Sequence, residues 1–158
     1  MKREITAGYL WVGKWTGLEY PIYPEHWNEK PAEDAPETLK EMYEDDLVTM
    51  RENPANEVLD IKPGTWLLEV NYPLSKVYRK EFEVPEKGIT RQELMDLAAK
   101  AYHKVYYFVN MGIYADGIDE YSKVWNKYGI WGHGIDDLTI HTFDVDDESN
   151  TIALGVDS

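Results

Sequence analysis

Hydrophobic positions along this chain follow two rhythms, one with the period of a strand and one with the period of a helix. Residues 4–15 are dense in aromatic and β-branched side chains and predict a first strand. Trp66, Leu68, Val70 and Tyr72 alternate with polar or smaller residues after the Pro63-Gly64 turn. Tyr78, Phe82 and Val84 then alternate with Arg79, Glu81 and Glu83, so the two runs predict a hairpin joined through residues 72–75. Pro85 ends the second run, because proline has no N–H to give a ladder. Residues 138–143 and 151–156 predict another hairpin around the polar turn 146–150.

The helical rhythm occurs twice. Leu39, Met42, Tyr43, Leu47 and Met50 form one apolar stripe over residues 36–52, with acids gathered near its start and Asn53-Pro54 at its end. Thr90 and Glu93 form a capping box for a second helix over residues 90–109, whose stripe is Leu94, Leu97, Ala98, Ala101, Val105, Phe108 and Val109. Strands grouped in hairpins, with no strict βαβ alternation, predict the α+β class: an antiparallel sheet packed by two amphipathic helices. The length of 158 residues suits one domain, 1–158. Two irregular, aromatic-containing loops interrupt it, 17–35 and 110–136, the second with a short helix expected over 119–127.

Composition changes this picture in three ways. Twelve Tyr and six Trp against three Phe give many rings with a polar handle, suited to half-buried cores and to interaction surfaces. The absence of cysteine excludes disulfides, thiolate metal sites and a Cys nucleophile. The net charge of −14 is concentrated: residues 25–60 carry twelve acids and three bases, and residues 136–158 carry seven acids and no base. Such a surface repels nucleic acid and anionic membranes and suits a basic partner. With no secretory leader in the opening residues and no apolar run near the roughly 20 residues of a membrane span, a soluble, cytoplasmic chain is expected.

Candidate chemistry is sparse. His133, Asp137 and His141, with Asp136 and Asp144 nearby, have metal-ligand residue types, and a divalent ion held there would support metal-assisted hydrolysis. Their spacing matches no zinc motif, and carboxylates that cap turns explain the same residues. Residues 144–150 suggest a calcium loop, but Ser149 and Gly155 stand where glycine and glutamate are required. No serine sits in a glycine elbow, and Gly129, Gly132 and Gly134 have no strand leading into them. His103 lies on the polar side of the second helix, beside Lys100 and Lys104, and is expected to face solvent.

Two surfaces remain. Glu37, Glu41 and Asp45 recur every fourth residue on the first helix, so carboxylates repeat at roughly 6 Å and can imitate a phosphate backbone. Tyr20, Tyr23, Trp27, Trp125, Tyr128 and Trp131 fall in the two loops, where rings can form a sugar- or peptide-binding patch or fold onto the sheet.

The run Tyr128-Gly129-Ile130-Trp131-Gly132-His133-Gly134-Ile135-Asp136-Asp137-Leu138, together with residues 154–158, resembles the ending of small proteins from phages and large DNA viruses. The resemblance implies a viral or mobile-element origin and carries no catalytic residue with it. The sequence therefore favours a non-enzymatic binder of another, basic protein, with no cofactor and no direct contact with nucleic acid or membrane. Its surfaces would be Glu37, Glu41 and Asp45 with Trp125, Tyr128 and Trp131. A hydrolase built on His133, Asp137 and His141 is the alternative.

Overall fold

A computed structural model describes residues 2–12, 30–106, 128–130, 132–135 and 138–157, apart from the side chains of residues 9–11, 46 and 50. Its strands are β1 (Lys2–Trp11), β2 (Gly64–Val70), β3 (Tyr78–Val84), β4 (Thr139–Asp146) and β5 (Thr151–Asp157). Its helices are α1 (Glu37–Glu52) and α2 (Arg91–Val105). Both expected hairpins form, β2 with β3 and β4 with β5, because alternation and turn residues agree at each. Residues 13–15, 107–109 and the helix expected over 119–127 lie outside the described residues.

The five strands form one sheet in the order β1-β4-β5-β2-β3. The class is α+β as expected, but the sheet is mixed where an antiparallel one was expected. Leu67, Leu68 and Glu69 of β2 pair in parallel with Thr151, Ile152 and Ala153 of β5. A hairpin dictates antiparallel pairing only within itself. How two hairpins meet depends on which edges are free and which faces are apolar. Here β2 and β5 meet in parallel, with Leu68 and Ile152 side by side and both side chains buried.

One face of the sheet builds the core. Trp66, Leu68 and Val70 of β2, Phe143 and Val145 of β4, and Ile152 and Leu154 of β5 are buried in one cluster with Leu94, Met95, Ala98 and Tyr102 of α2. Each large side chain fully removed from water contributes about 1.5–3 kcal/mol before its entropy cost is counted. The polar tips inside this cluster have partners: Trp66 Nε1 donates to the Lys62 carbonyl at 3.0 Å, and Tyr102 Oη to the Tyr72 carbonyl at 2.6 Å. Alternate residues of the same strands, including Glu69, Asp144 and Thr151, line the opposite, polar face.

The helices differ in how they join this core. The Thr90 side chain accepts from the Glu93 N–H and the Glu93 carboxylate accepts from the Thr90 N–H, so the expected capping box is present. The buried arc of α2 is wider than its stripe, taking in Arg91, Met95, Ala99 and Tyr102 besides Leu94, Ala98, Ala101 and Val105. The first helix runs alongside β1, yet none of its described side chains is buried. Leu39 and Met42, two of the five residues of the expected stripe, are 50% and 59% exposed. Of the two helices expected to pack the sheet, α2 is the one that supplies buried side chains among the described residues.

Candidate functional site

The first helix positions the acidic row. Pro36 at its N-cap has φ −54°, and Asn53 closes it, its N–H and side-chain amide both donating to the Thr49 carbonyl. Glu37 lies in the first turn and Arg51 in the last, each complementing the helix dipole. Glu37, Glu41 and Asp45 are all exposed, and among the described residues none of their carboxylates is in an ion pair. Lys40 reaches away, its Nζ donating to the Glu33 carbonyl at 2.7 Å. The row is thus a line of exposed carboxylates beside two exposed apolar side chains, Leu39 and Met42.

The sheet's polar face carries a second acidic surface that sequence reasoning missed. Pairing places Glu4 beside Asp144, Asp144 beside Ala153, Ala153 beside Glu69, and Glu69 beside Arg79. These residues cross all five strands in one row, with Glu4 and Glu69 about 14 Å apart by strand spacing. The small side chain of Ala153 lowers the middle of the row, and a groove of about 650 Å³ opens there. Lys2 and Asp144 stand on one side of it and Glu69 and Asn71 on the other. Arg79 Nε lies 3.5 Å from Glu69, so one end of the row is paired. Alternating acids in single strands hinted at a charged face; the row itself exists only once the strand order is known.

The metal-type residues have other partners. Tyr106 Oη donates to the His133 carbonyl at 2.9 Å, and the His133 ring lies 5.5 Å from that of Tyr72. His141 Nε2 is 3.3 Å from an Asp157 carboxylate oxygen. Asp136 and Asp137 lie outside the described residues, and among those described no three His, Asp or Glu side chains are grouped to hold a metal ion. Residues 144–150 form the end of β4 and its turn, where Asp146 accepts from the Glu148 N–H at 3.1 Å. His103, expected in solvent, is half-buried, with Nε2 2.8 Å from the Val12 carbonyl. The end of β1 passes over α2 and gives that histidine a partner.

Of the aromatic loop residues, Tyr128 is described and Tyr20, Tyr23, Trp27, Trp125 and Trp131 are not. The Tyr128 ring meets Tyr78 edge-on at 5.3 Å, and its carbonyl accepts from the Ser75 and Lys76 N–H groups. Gly129 adopts φ +64°, and a Cβ there would collide with Ser75, so glycine is what lets this segment lie flat on the β2–β3 connection. This end of the loop folds onto the sheet.

These features define an α+β protein with a mixed five-stranded sheet, one helix packed into the core and one lying on the surface. Among the described residues no helix is long and apolar enough to cross a membrane. Comparison with protein-family models, with curated proteins and with solved structures finds no match to the chain.

Proposed function

We propose that the protein binds a basic macromolecular partner, most simply another protein, and that α1 is its contact surface. The carboxylates of Glu37, Glu41 and Asp45, exposed and in no ion pair among the described residues, carry this reading. A line of charges repeating at roughly 6 Å presents a DNA-binding protein with the spacing and sign of a phosphate strand. Leu39 and Met42, exposed beside it, add apolar area that a phosphate backbone lacks, which supports a protein partner.

Capture from host lysate at low and high salt tests the proposal, comparing the parent chain with two variants. Neutralising α1 (Glu37→Gln, Glu41→Gln, Asp45→Asn) should abolish capture of a basic partner that salt releases from the parent. Neutralising the sheet row (Glu4→Gln, Asp144→Asn) should leave it intact. The captured partner should also lose affinity for duplex DNA when this protein is added. Undiminished capture by the α1 variant refutes the reading, and an unaffected partner–DNA complex refutes mimicry.

A further inference from the structure

A second concavity lies on the other side of the sheet and has the opposite charge. It is a pocket of about 180 Å³ between α2 and the β2–β3 hairpin. Leu68 and Phe82 of the hairpin and Leu97 and Ala101 of α2 form its apolar wall. Pairing explains how the hairpin supplies this wall. Tyr78, Lys80 and Phe82 share one face of β3, opposite Val70, Leu68 and Trp66 of β2, and Tyr78 and Phe82 are buried against the core. On α2, residues 97, 100, 101 and 104 follow the i, i+3, i+4, i+7 spacing of one helix face.

Three lysines stand among these apolar residues. Lys80 occupies the centre of the core-directed face of β3, and Lys100 and Lys104 occupy the corresponding face of α2; all three line the pocket and are exposed. Among the described residues none of their ammonium groups is in an ion pair or a hydrogen bond. That is unusual in a chain with 30 acids and only 16 bases, where cations have no shortage of partners. A lysine at a core-directed position normally runs its stem over apolar surface and leaves the ammonium in water. Three that line one apolar hollow leave room for a ligand with an anionic head and an apolar body.

We propose that this pocket binds a small amphiphilic anion, a carboxylate on a short alkyl or single-ring aryl body. The volume sets the size of the body. A cavity of about 150 Å³ takes a benzene molecule, so this one takes one ring or an alkyl tail of about six or seven carbons, with the carboxylate outside among the lysines. Charge sets the head: an anion is attracted by three ammonium groups, a cation is repelled, and a neutral alcohol gains only the apolar contact. The proposal uses a different surface from α1 and stands independently of the reading above.

Titration of the full chain with octanoate, octanol and octylamine, followed by amide chemical shifts, tests the assignment. Octanoate should shift the amides of β3 and the second half of α2. It should bind at least tenfold more tightly than octanol, and octylamine should not bind. The double variant Lys100→Gln/Lys104→Gln alters exposed side chains only and should fold with an unchanged urea midpoint. Its octanoate affinity should fall tenfold or more, while its octanol affinity stays within twofold. Leu97→Trp, which fills the pocket, should remove binding of both. Equal affinity for octanoate and octanol, or an octanoate affinity unmoved by loss of the two lysines, overturns the proposal. So does a set of octanoate shifts lying elsewhere on the chain.

Discussion

At the scale of single residues, Arg91 shows how a locally unfavourable choice serves the whole fold. A cation in the first turn of a helix opposes the helix dipole, so local rules disfavour arginine there. Yet Arg91 is 3% exposed, and its guanidinium donates to the Thr6 carbonyl at 2.9 Å, the Pro54 carbonyl at 2.7 Å and the Glu57 carboxylate at 3.0 Å. The backbone completes the junction. Arg91 and Gln92 N–H groups, which a helix start leaves without intrahelical partners, donate to the Glu57 and Ala55 carbonyls. One side chain thereby ties β1, the turn after α1 and the start of α2 together. Arg91→Met should cost on the order of 2–4 kcal/mol, since two carbonyls lose their donors while the stem's packing is kept. Glu57→Gln should cost less, about 1 kcal/mol, because the Glu57 side chain is 47% exposed, so its charge is screened, and the glutamine oxygen can still accept from Arg91. Urea denaturation of both variants checks the ranking, and equal losses would mean that the ion pair, rather than the carbonyl contacts, holds the junction.

At the scale of elements, the two helices separate what a sequence pattern specifies from what it leaves open. Both were legible as helices, and α2 also as a core element, because its capping box and its apolar stripe coincide. The stripe of α1 has the same spacing, but spacing says only that a face exists and not that anything covers it. Replacing Leu39 and Met42 together by alanine should therefore lower stability by less than about 1 kcal/mol, whereas Leu94→Ala in α2 should cost about 2–5 kcal/mol. Urea midpoints decide this, and a large loss from the α1 pair would show that its stripe is buried in solution. The sheet divides in the same way. Each hairpin was legible because its turn and alternation are local, while the parallel seam of β2 with β5 was not, since it depends on edges far apart in sequence. Candidate surfaces follow suit: the row Glu37, Glu41 and Asp45 lies within one helix and could be read directly. The row from Glu4 to Arg79 needs four pairings, and the cluster of Lys80, Lys100 and Lys104 needs a helix docked on a strand.

At the scale of the whole molecule, contacts around the β4–β5 turn join distant parts of an acidic chain. Arg3 in β1 donates to both carboxylate oxygens of Asp147, at 2.8 and 3.1 Å, and also reaches Asp60. Lys62 donates to the Asp147 carbonyl at 3.3 Å, and Asn150, with φ 53°, donates from its side chain to the Thr65 carbonyl at 3.2 Å. The turn therefore fastens the far edge of the sheet to the segment that leads into β2. The hydrogen bond from Arg3, opposed by desolvation and helped by the charges of Arg3 and Lys62, holds the Asp147 carboxyl below its ordinary value of 3.8. A carboxylate held low in the folded state binds its proton more readily when unfolded, so stability falls with pH wherever the unfolded chain takes up the proton first. The Asp147 contribution is thus fully present above pH 3.8 and is lost as pH falls through the lower folded value. Asp147→Asn keeps the shape and removes the charge, and should be less stable than the parent at pH 6. That deficit should shrink as pH falls below 3.8 and the parent loses the same charge. Urea unfolding of the two chains from pH 6 to pH 2 measures it. A deficit that stays constant across that range would assign the role of Asp147 to neutral hydrogen bonding and remove this turn as a source of acid sensitivity. A deficit that closes would identify a surface ion pair, in a molecule otherwise dominated by repelling carboxylates, as one of the contacts that set where acid unfolds it.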